Sequence, residues 1–269
     1  EKGWTRLWGG TTNDYGMGVA VDRAVDIFVA GSSEGPIAGQ DNSGVTQSCL
    51  TKLTPDGKRL WTRLWSGQAS NEALDAAVDS VGNVYVTGYT AGPLEGEPIT
   101  GRYDLFLTKI ASGSEGTMVW TRVWGSAEFD TAYGVAVDST DHLYVAGYAG
   151  GAIDDQLFLG RSDLCLSKFS PDGKRLWTRL VGSSGLDWAQ DVVCAADDEV
   201  YVVGYTEGSF DQQPNHGGRD ACLVRFSADG ERLWSRIFGS SSRDEGYGVA
   251  VDGLGHVYAT GFAGSFNGQ

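Results

Sequence analysis

Lys58-Arg59-Leu60-Trp61-Thr62-Arg63-Leu64-Trp65 returns along the whole chain in close copies. They stand at Trp4-Thr5-Arg6-Leu7-Trp8, Trp120-Thr121-Arg122-Val123-Trp124, Trp177-Thr178-Arg179-Leu180-Val181 and Trp234-Ser235-Arg236-Ile237-Phe238. The leading tryptophans are 57, 59, 57 and 57 residues apart, and self-similarity at so fixed a period marks a repeat architecture. Residues 1–269 are therefore expected to form one domain of five units, with no linker or inserted domain.

Each unit carries three further short runs. A small-residue and β-branched run A lies at 16–22, 73–79, 132–138, 189–195 and 246–252, and a run B ending in glycine lies at 26–31, 83–88, 142–147, 199–204 and 256–261. Run C, at 48–52, 105–109, 164–168 and 221–225, leads in three units through Pro55-Asp56-Gly57, Pro171-Asp172-Gly173 or Ala228-Asp229-Gly230 into the tryptophan run D. Runs of this kind read as strands, and Asp-Gly between them signals a tight turn. Each unit is thus expected to be a four-stranded antiparallel meander, and such units repeated radially are the blades of a β-propeller. The expected fold is all-β: a propeller of five blades, with glycine-rich run A nearest the crowded axis and run D outermost. The chain starts in run D and stops after run B, a count of nineteen strands, so Trp4–Trp8 is expected to close the last blade.

The 40 glycines follow no collagen-like period and the six prolines all fall between apolar runs, as punctuation of short strands would place them. A net charge of −15 argues against a nucleic-acid backbone or an anionic membrane surface as partner, and favours cations. No apolar run is long enough to span a bilayer, and Glu1-Lys2-Gly3 opens straight into a repeat, so any targeting segment is expected to lie outside these residues.

The stretches Asp-Tyr-Gly-Met-Gly-Val-Ala-Val-Asp (14–22), Gly-Asn-Val-Tyr-Val-Thr-Gly-Tyr-Thr (82–90) and Gly-Gly-Arg-Asp-Ala-Cys-Leu-Val-Arg-Phe (217–226) resemble the SBBP-type β-propeller repeats of large bacterial and some algal proteins. The resemblance covers essentially the whole chain. It implies a propeller, of seven blades by the family's label against the five tryptophan units counted here, and it implies no particular activity.

Arg6, Arg63, Arg122, Arg179 and Arg236 each follow a leading Trp by two residues, which puts both side chains on one strand face in cation–π reach. Five equal copies point to structure rather than to an anion site. Cys49, Cys165 and Cys222 share one repeat position and Cys194 replaces a valine, so free buried thiols are expected rather than disulfides or a metal site. His142 and His256 fall in A–B turns, no Gly-x-Ser-x-Gly elbow accompanies them or His216, and Ser227–Trp234 is similar to a sialidase Asp-box only as far as a hairpin turn. No Walker loop, His-Glu-x-x-His, EF-hand or dinucleotide fingerprint occurs.

Charge layout supplies the remaining candidates. In a propeller the D–A and B–C loops share one face, and here that face is acidic. Asp14, Asn71, Asp130, Asp187 and Asp244 recur ten residues after each leading Trp, and they are the candidate binding residues. They either take part in a Ca²⁺ site with loop carbonyls or cap their own turns by accepting backbone N–H groups. No cofactor is required by the sequence, and Ca²⁺ is the one candidate.

Complete regularity argues for a noncatalytic scaffold or a module binding a protein or glycan, within a larger secreted or cell-surface protein, because an active site normally equips one place differently from the rest. Two rivals remain. One is a lectin-like ring using the B–C loops, each with a glycine (Gly35, Gly92, Gly151, Gly208) and an apolar residue (Ile37, Leu94, Ile153, Phe210). The other is a polysaccharide-active enzyme using paired carboxylates.

Overall fold

The computed structural model describes residues 3–42, 44–113 and 115–264, and among them there is no helix. The strands group into five antiparallel sheets. The first holds β1 (Asp14–Val21), β2 (Ile27–Ser33), β3 (Gln47–Leu53) and β4 (Arg59–Trp65). The second holds β5 (Asn71–Val78), β6 (Val84–Thr90), β7 (Asp104–Ile110) and β8 (Met118–Trp124). In the third are β9 (Thr131–Val137), β10 (Leu143–Ala149), β11 (Asp163–Phe169) and β12 (Arg175–Val181). The fourth comprises β13 (Asp187–Cys194), β14 (Val200–Thr206), β15 (Asp220–Phe226) and β16 (Arg232–Phe238), and the fifth only β17 (Asp244–Val251) and β18 (Val257–Ala263). Strands are hydrogen-bonded in sequence order within each sheet, so the first four sheets are the meanders expected of propeller blades. The chain divides into two compact units, residues 1–124 with the first two sheets and residues 125–269 with the last three.

Tight turns follow the residue types that demand them. Gly57, Gly173 and Gly230 have φ of +79°, +85° and +79° in the C–D turns, which is why Asp-Gly marks those turns in the sequence.

Within each unit the first strand of a sheet lies across the face of the sheet before it. In the first unit β5 packs on β1, β2 and β3; in the second, β13 packs on β9, β10 and β11, and β17 on β13, β14 and β15. Small residues make this approach possible: a Cβ on Gly18 would stand 2.6 Å from the Cα of Asp75. Between the first two sheets the space is filled by Phe28, Leu50, Trp65, Val86 and Phe106, and between the third and fourth by Tyr144, Leu166, Val202, Cys222 and Phe226. The four cysteines are free, and burial pushes the Cys49 and Cys165 thiols up to about 12.

Every A strand carries one β-bulge at the same place, skipping Met17, Leu74, Tyr133, Gln190 and Tyr247. The bulge drives the carbonyl of the residue before it toward the glycine of strand B. A Cβ on Gly31, Gly88, Gly147, Gly204 or Gly261 would stand only 1.8–2.0 Å from the carbonyl oxygen of Tyr15, Glu72, Thr131, Trp188 or Glu245. Steric exclusion by a bulged neighbour therefore explains the glycine that ends run B in all five units.

One sequence expectation is corrected. Residues 3–13 contain no strand, so Trp4–Trp8 is not a β-strand and the described strands number eighteen rather than nineteen. A strand needs neighbouring N–H and C=O groups, and the fifth sheet offers no described third strand for this segment to pair with. Trp4 and Arg6 instead bond the β3–β4 turn, through Trp4 Nε1 to Pro55 O at 2.9 Å and Arg6 Nε to Gly57 O at 3.2 Å.

Candidate functional site

The recurring acidic positions stand one to a sheet at the start of strand A. Asp14 accepts Gly10 N–H at 2.6 Å and the Ser33 hydroxyl at 2.6 Å. Asp130 accepts Ser126 N–H at 2.6 Å and Gly150 N–H at 2.9 Å, Asp187 accepts Ser183 N–H at 2.7 Å, and Asp244 accepts Ser240 N–H at 2.8 Å. Asn71 differs, its Oδ1 accepting Ser48 N–H at 2.9 Å from the adjacent sheet. All five are held by backbone groups around them, and the structure does not bring them together. Among the described residues, no group of three or more His, Cys, Asp and Glu side chains is placed to hold a metal ion.

A second row of acids, not singled out from the sequence, opens strand C. Asp104, Asp163 and Asp220 are fully buried and accept loop N–H groups from Thr100 at 2.6 Å, Leu159 at 2.9 Å and His216 at 2.5 Å. The signal was an aspartate directly before each of these runs. Ser162 O accepts Asp187 N–H at 2.9 Å, which brings this row beside the start of the next sheet. Asp163 Oδ1 is buried without a hydrogen-bond partner. Burial raises the Asp163 carboxyl to about 6, against the pull of the Leu159 and Gly160 N–H groups and with the Asp187 charge adding to the rise.

The sign follows from that rise. The folded state binds the proton more tightly than the unfolded chain, so stability is greatest below the unfolded value of 3.8 and is lost as pH climbs through about 6. Asp163→Asn is expected to melt higher than the parent at pH 8 and to flatten this part of the profile. Thermal melts from pH 4 to 8 check it, and equal pH slopes in both proteins would refute it.

One place departs from the repeat. Eight of the nine tryptophans belong to D runs, and the ninth is Trp188, where the other units carry Tyr15, Glu72, Thr131 and Glu245. Its indole lies parallel to Tyr148, with centroids 4.3 Å apart at 10°, and near Tyr205 at 5.5 Å. Trp188 Nε1 donates to Ser162 Oγ at 2.6 Å. Arg219 lies over the Tyr205 ring at 4.4 Å and the Trp188 ring at 6.0 Å. Its guanidinium also bonds Glu207 at 3.1 Å and the buried Glu245 at 2.5 Å. Beside this stack opens a cleft of about 530 Å³ bordered by Glu128, Phe129, Tyr148, Arg161 and Trp188. The off-frame tryptophan was the sequence signal for it.

Residues 77–95 and 233–264 match a family described as the SBBP β-propeller repeat. Those two segments carry the SBBP repeat pattern. The regulatory protein FlaEY of Caulobacter vibrioides is 30% identical over 176 residues, which cover 60% of this chain and 18% of FlaEY, so the chain spans less than a fifth of that relative's length. Among solved structures, a gluconolactonase from Xanthomonas campestris is 14% identical at a TM-score of 0.46, covering 93% of this chain and 84% of its own. A Bacteroides thetaiotaomicron protein of unknown function is 14% identical at a TM-score of 0.46, covering 94% of this chain and 56% of its own. Likenesses this distant do not bear on activity.

The recurring arginine of the repeat unit does two jobs. Arg122, Arg179 and Arg236 lie over Trp120, Trp177 and Trp234 at 5.3, 5.0 and 5.6 Å, the expected cation–π pairs. It also reaches the C–D turn of a neighbouring sheet, as Arg63 Nε to Glu115 O at 2.7 Å and Arg179 Nε to Gly230 O at 2.9 Å. The apolar residues of the B–C loops, Ile37, Leu94, Ile153 and Phe210, are buried beneath those loops. His142 and His256 sit in the A–B turns, their backbone N–H groups bonded to Asp138 and Asp252.

Proposed function

We propose that the chain is a noncatalytic interaction module, binding a protein or glycan partner as part of a larger secreted or cell-surface protein. The observation that carries this reading is the use of the repeated carboxylates: Asp14, Asp130, Asp187 and Asp244 cap their own loops, and the place that breaks the repeat is an aromatic cleft rather than two carboxylates set for acid and base roles. A larger protein is suggested by the 18% share of FlaEY that the matching region covers. A charge of −15 speaks against nucleic acid, and membrane insertion is no part of the proposal.

The same proposal takes residues 1–269 as a single domain of five repeat units, the last of them incomplete. In its support, Arg6 bonds the Gly57 turn as Arg63 and Arg179 bond the turns at Glu115 and Gly230, so the segment already makes the contacts of a D strand.

The protein is expected to leave chromogenic glycosides and soluble polysaccharides uncleaved, both with added calcium and with EDTA, and to give superimposable melting curves in the two conditions. Turnover abolished by a single Asp or Glu change would replace this reading with the polysaccharide-active one. A calcium-dependent rise in melting temperature would place a metal on the acidic loops, since a ligand held only by the folded state must stabilise it.

A further inference from the structure

We propose that the cleft at Phe129, Tyr148 and Trp188 binds a neutral pyranose unit of a glycan, an inference that rests on the chain being a binding module. Two of its residues, Phe129 and Trp188, are peculiar to one place, while Tyr148 recurs as Tyr89 and Tyr205. Where Phe129 stands the other units carry Asn13, Ser70, Leu186 and Arg243, and none of the others has a tryptophan at the position of Trp188. A side chain needed only to build a sheet would recur with the sheet, as the D-run tryptophans do.

The aromatic wall is rigid before any ligand arrives. Trp188 is fixed at its edge by the hydrogen bond to Ser162 and at its face by Tyr148, so little side-chain freedom is lost on binding. Phe129 adds apolar surface at 39% exposure. At about 530 Å³ the cleft is of a size that holds a small molecule, roughly 300–1,000 Å³, and it is shallow and open to solvent, as a site for one unit of a longer glycan would be.

Ligand chemistry follows from the border. Arg161, 71% exposed and steadied by Glu207 at 3.6 Å, offers donors, while the exposed Glu128 offers an acceptor. Opposite charges across one small cleft favour a neutral ligand rich in hydroxyls. A pyranose answers that description, with C–H groups on its faces for the rings and hydroxyls around its rim for the charged groups. A cationic ligand is disfavoured because Arg219 already sits over Trp188 and Tyr205, and a nucleotide because of the net charge.

Isothermal titration of the whole chain with maltotriose, cellotriose, laminaritriose, mannotriose and triacetylchitotriose tests the inference. At least one trisaccharide is expected to bind, and Phe129→Ala and Arg161→Ala are each expected to weaken it ~tenfold or more, as truncating a central contact does, with melting unchanged in Arg161→Ala because that side chain is 71% exposed. Trp188→Ala is expected to abolish binding, and Trp188→Phe, which keeps an aromatic face, to restore part of it. No binding by any trisaccharide, or binding untouched by Phe129→Ala and Arg161→Ala, would overturn the sugar site and leave the module reading to stand on its protein partners. Cleavage of a trisaccharide, lost in Phe129→Ala, would instead support the sugar site and remove the noncatalytic reading.

Discussion

Gly88→Ala is expected to destabilise the protein by about 3 kcal/mol, at the upper end of what an overpacked interior costs. The new methyl would meet the Glu72 carbonyl oxygen at 1.8 Å and the Ala73 Cα at 3.1 Å. Both are backbone atoms of the bulged strand β5, and they cannot swing aside as the end of a side chain would. Either the bulge must flatten, which shifts the register that places Asn71 and Ala73, or strand β6 must leave its partner. Urea unfolding reads the effect as a lower midpoint at unchanged slope. Gly218→Ala is the control, since nothing lies within 4 Å of its Cβ position. It should stay within ~0.5 kcal/mol of the parent. Equal losses at the two sites would mean that the glycine of strand B is there for its flexibility and not for the space it leaves.

Glu245→Gln is expected to cost about 2 kcal/mol at pH 7, a value typical of hydrogen bonds to a charged group. Glu245 is 2% exposed and accepts Arg219 at 2.5 Å, Arg243 at 2.7 Å and the Tyr247 hydroxyl at 2.5 Å. Loss of the carboxylate leaves Arg219 with Glu207, which keeps the cost below that of a wholly orphaned buried charge. Burial by itself would raise the Glu245 carboxyl, but the bonds from Arg243, Tyr247 and Arg219 outweigh it and hold the group at about 2, down from 4.5. A folded value below the unfolded one means stability fully present above pH 4.5 and drained as pH falls toward 2. The parent should therefore lose stability over that window more steeply than Glu245→Gln. Parallel acid titrations of the two melting temperatures would sink the assignment.

Why the repeat was legible while its joints were not is clear from particular residues. Runs A to D declare themselves by local chemistry: β-branched and aromatic residues form the strands, and Asp-Gly closes the turns. Bulges do not, because skipping Met17 or Tyr133 is a property of two strands in register and not of either alone. The glycine ending run B was visible in all five units, yet its reason lies in a carbonyl sixteen residues earlier in sequence, as with Gly88 and Glu72. Trp4–Trp8 has the composition of a strand, but composition cannot supply a neighbour to pair with. The stacking of Arg122 and Arg179 on their own tryptophans follows from strand alternation, whereas the bonds of Arg63 to Glu115 and of Arg179 to Gly230, about fifty residues away, depend on how one sheet follows another. At the candidate site, the acids ten residues after each Trp were found and their loop bonds were one of two open readings. The aromatic cleft escaped notice because attention to what repeats passes over Trp188, the residue that does not.

Three D segments reach the turn of the sheet that follows them, and always in one direction. Trp4 and Arg6 fasten the first sheet, Trp61 and Arg63 the second, and Trp177 and Arg179 the fourth, always from the earlier segment to the later one. Stability in such a chain is a sum of nearest-neighbour couplings rather than the property of one central core. Within each compact unit the later sheet is secured by the segment before it, so damage at one such joint is felt first downstream. Folding that proceeds from the N-terminus would then find, at these three joints, a latch already waiting for the sheet about to form.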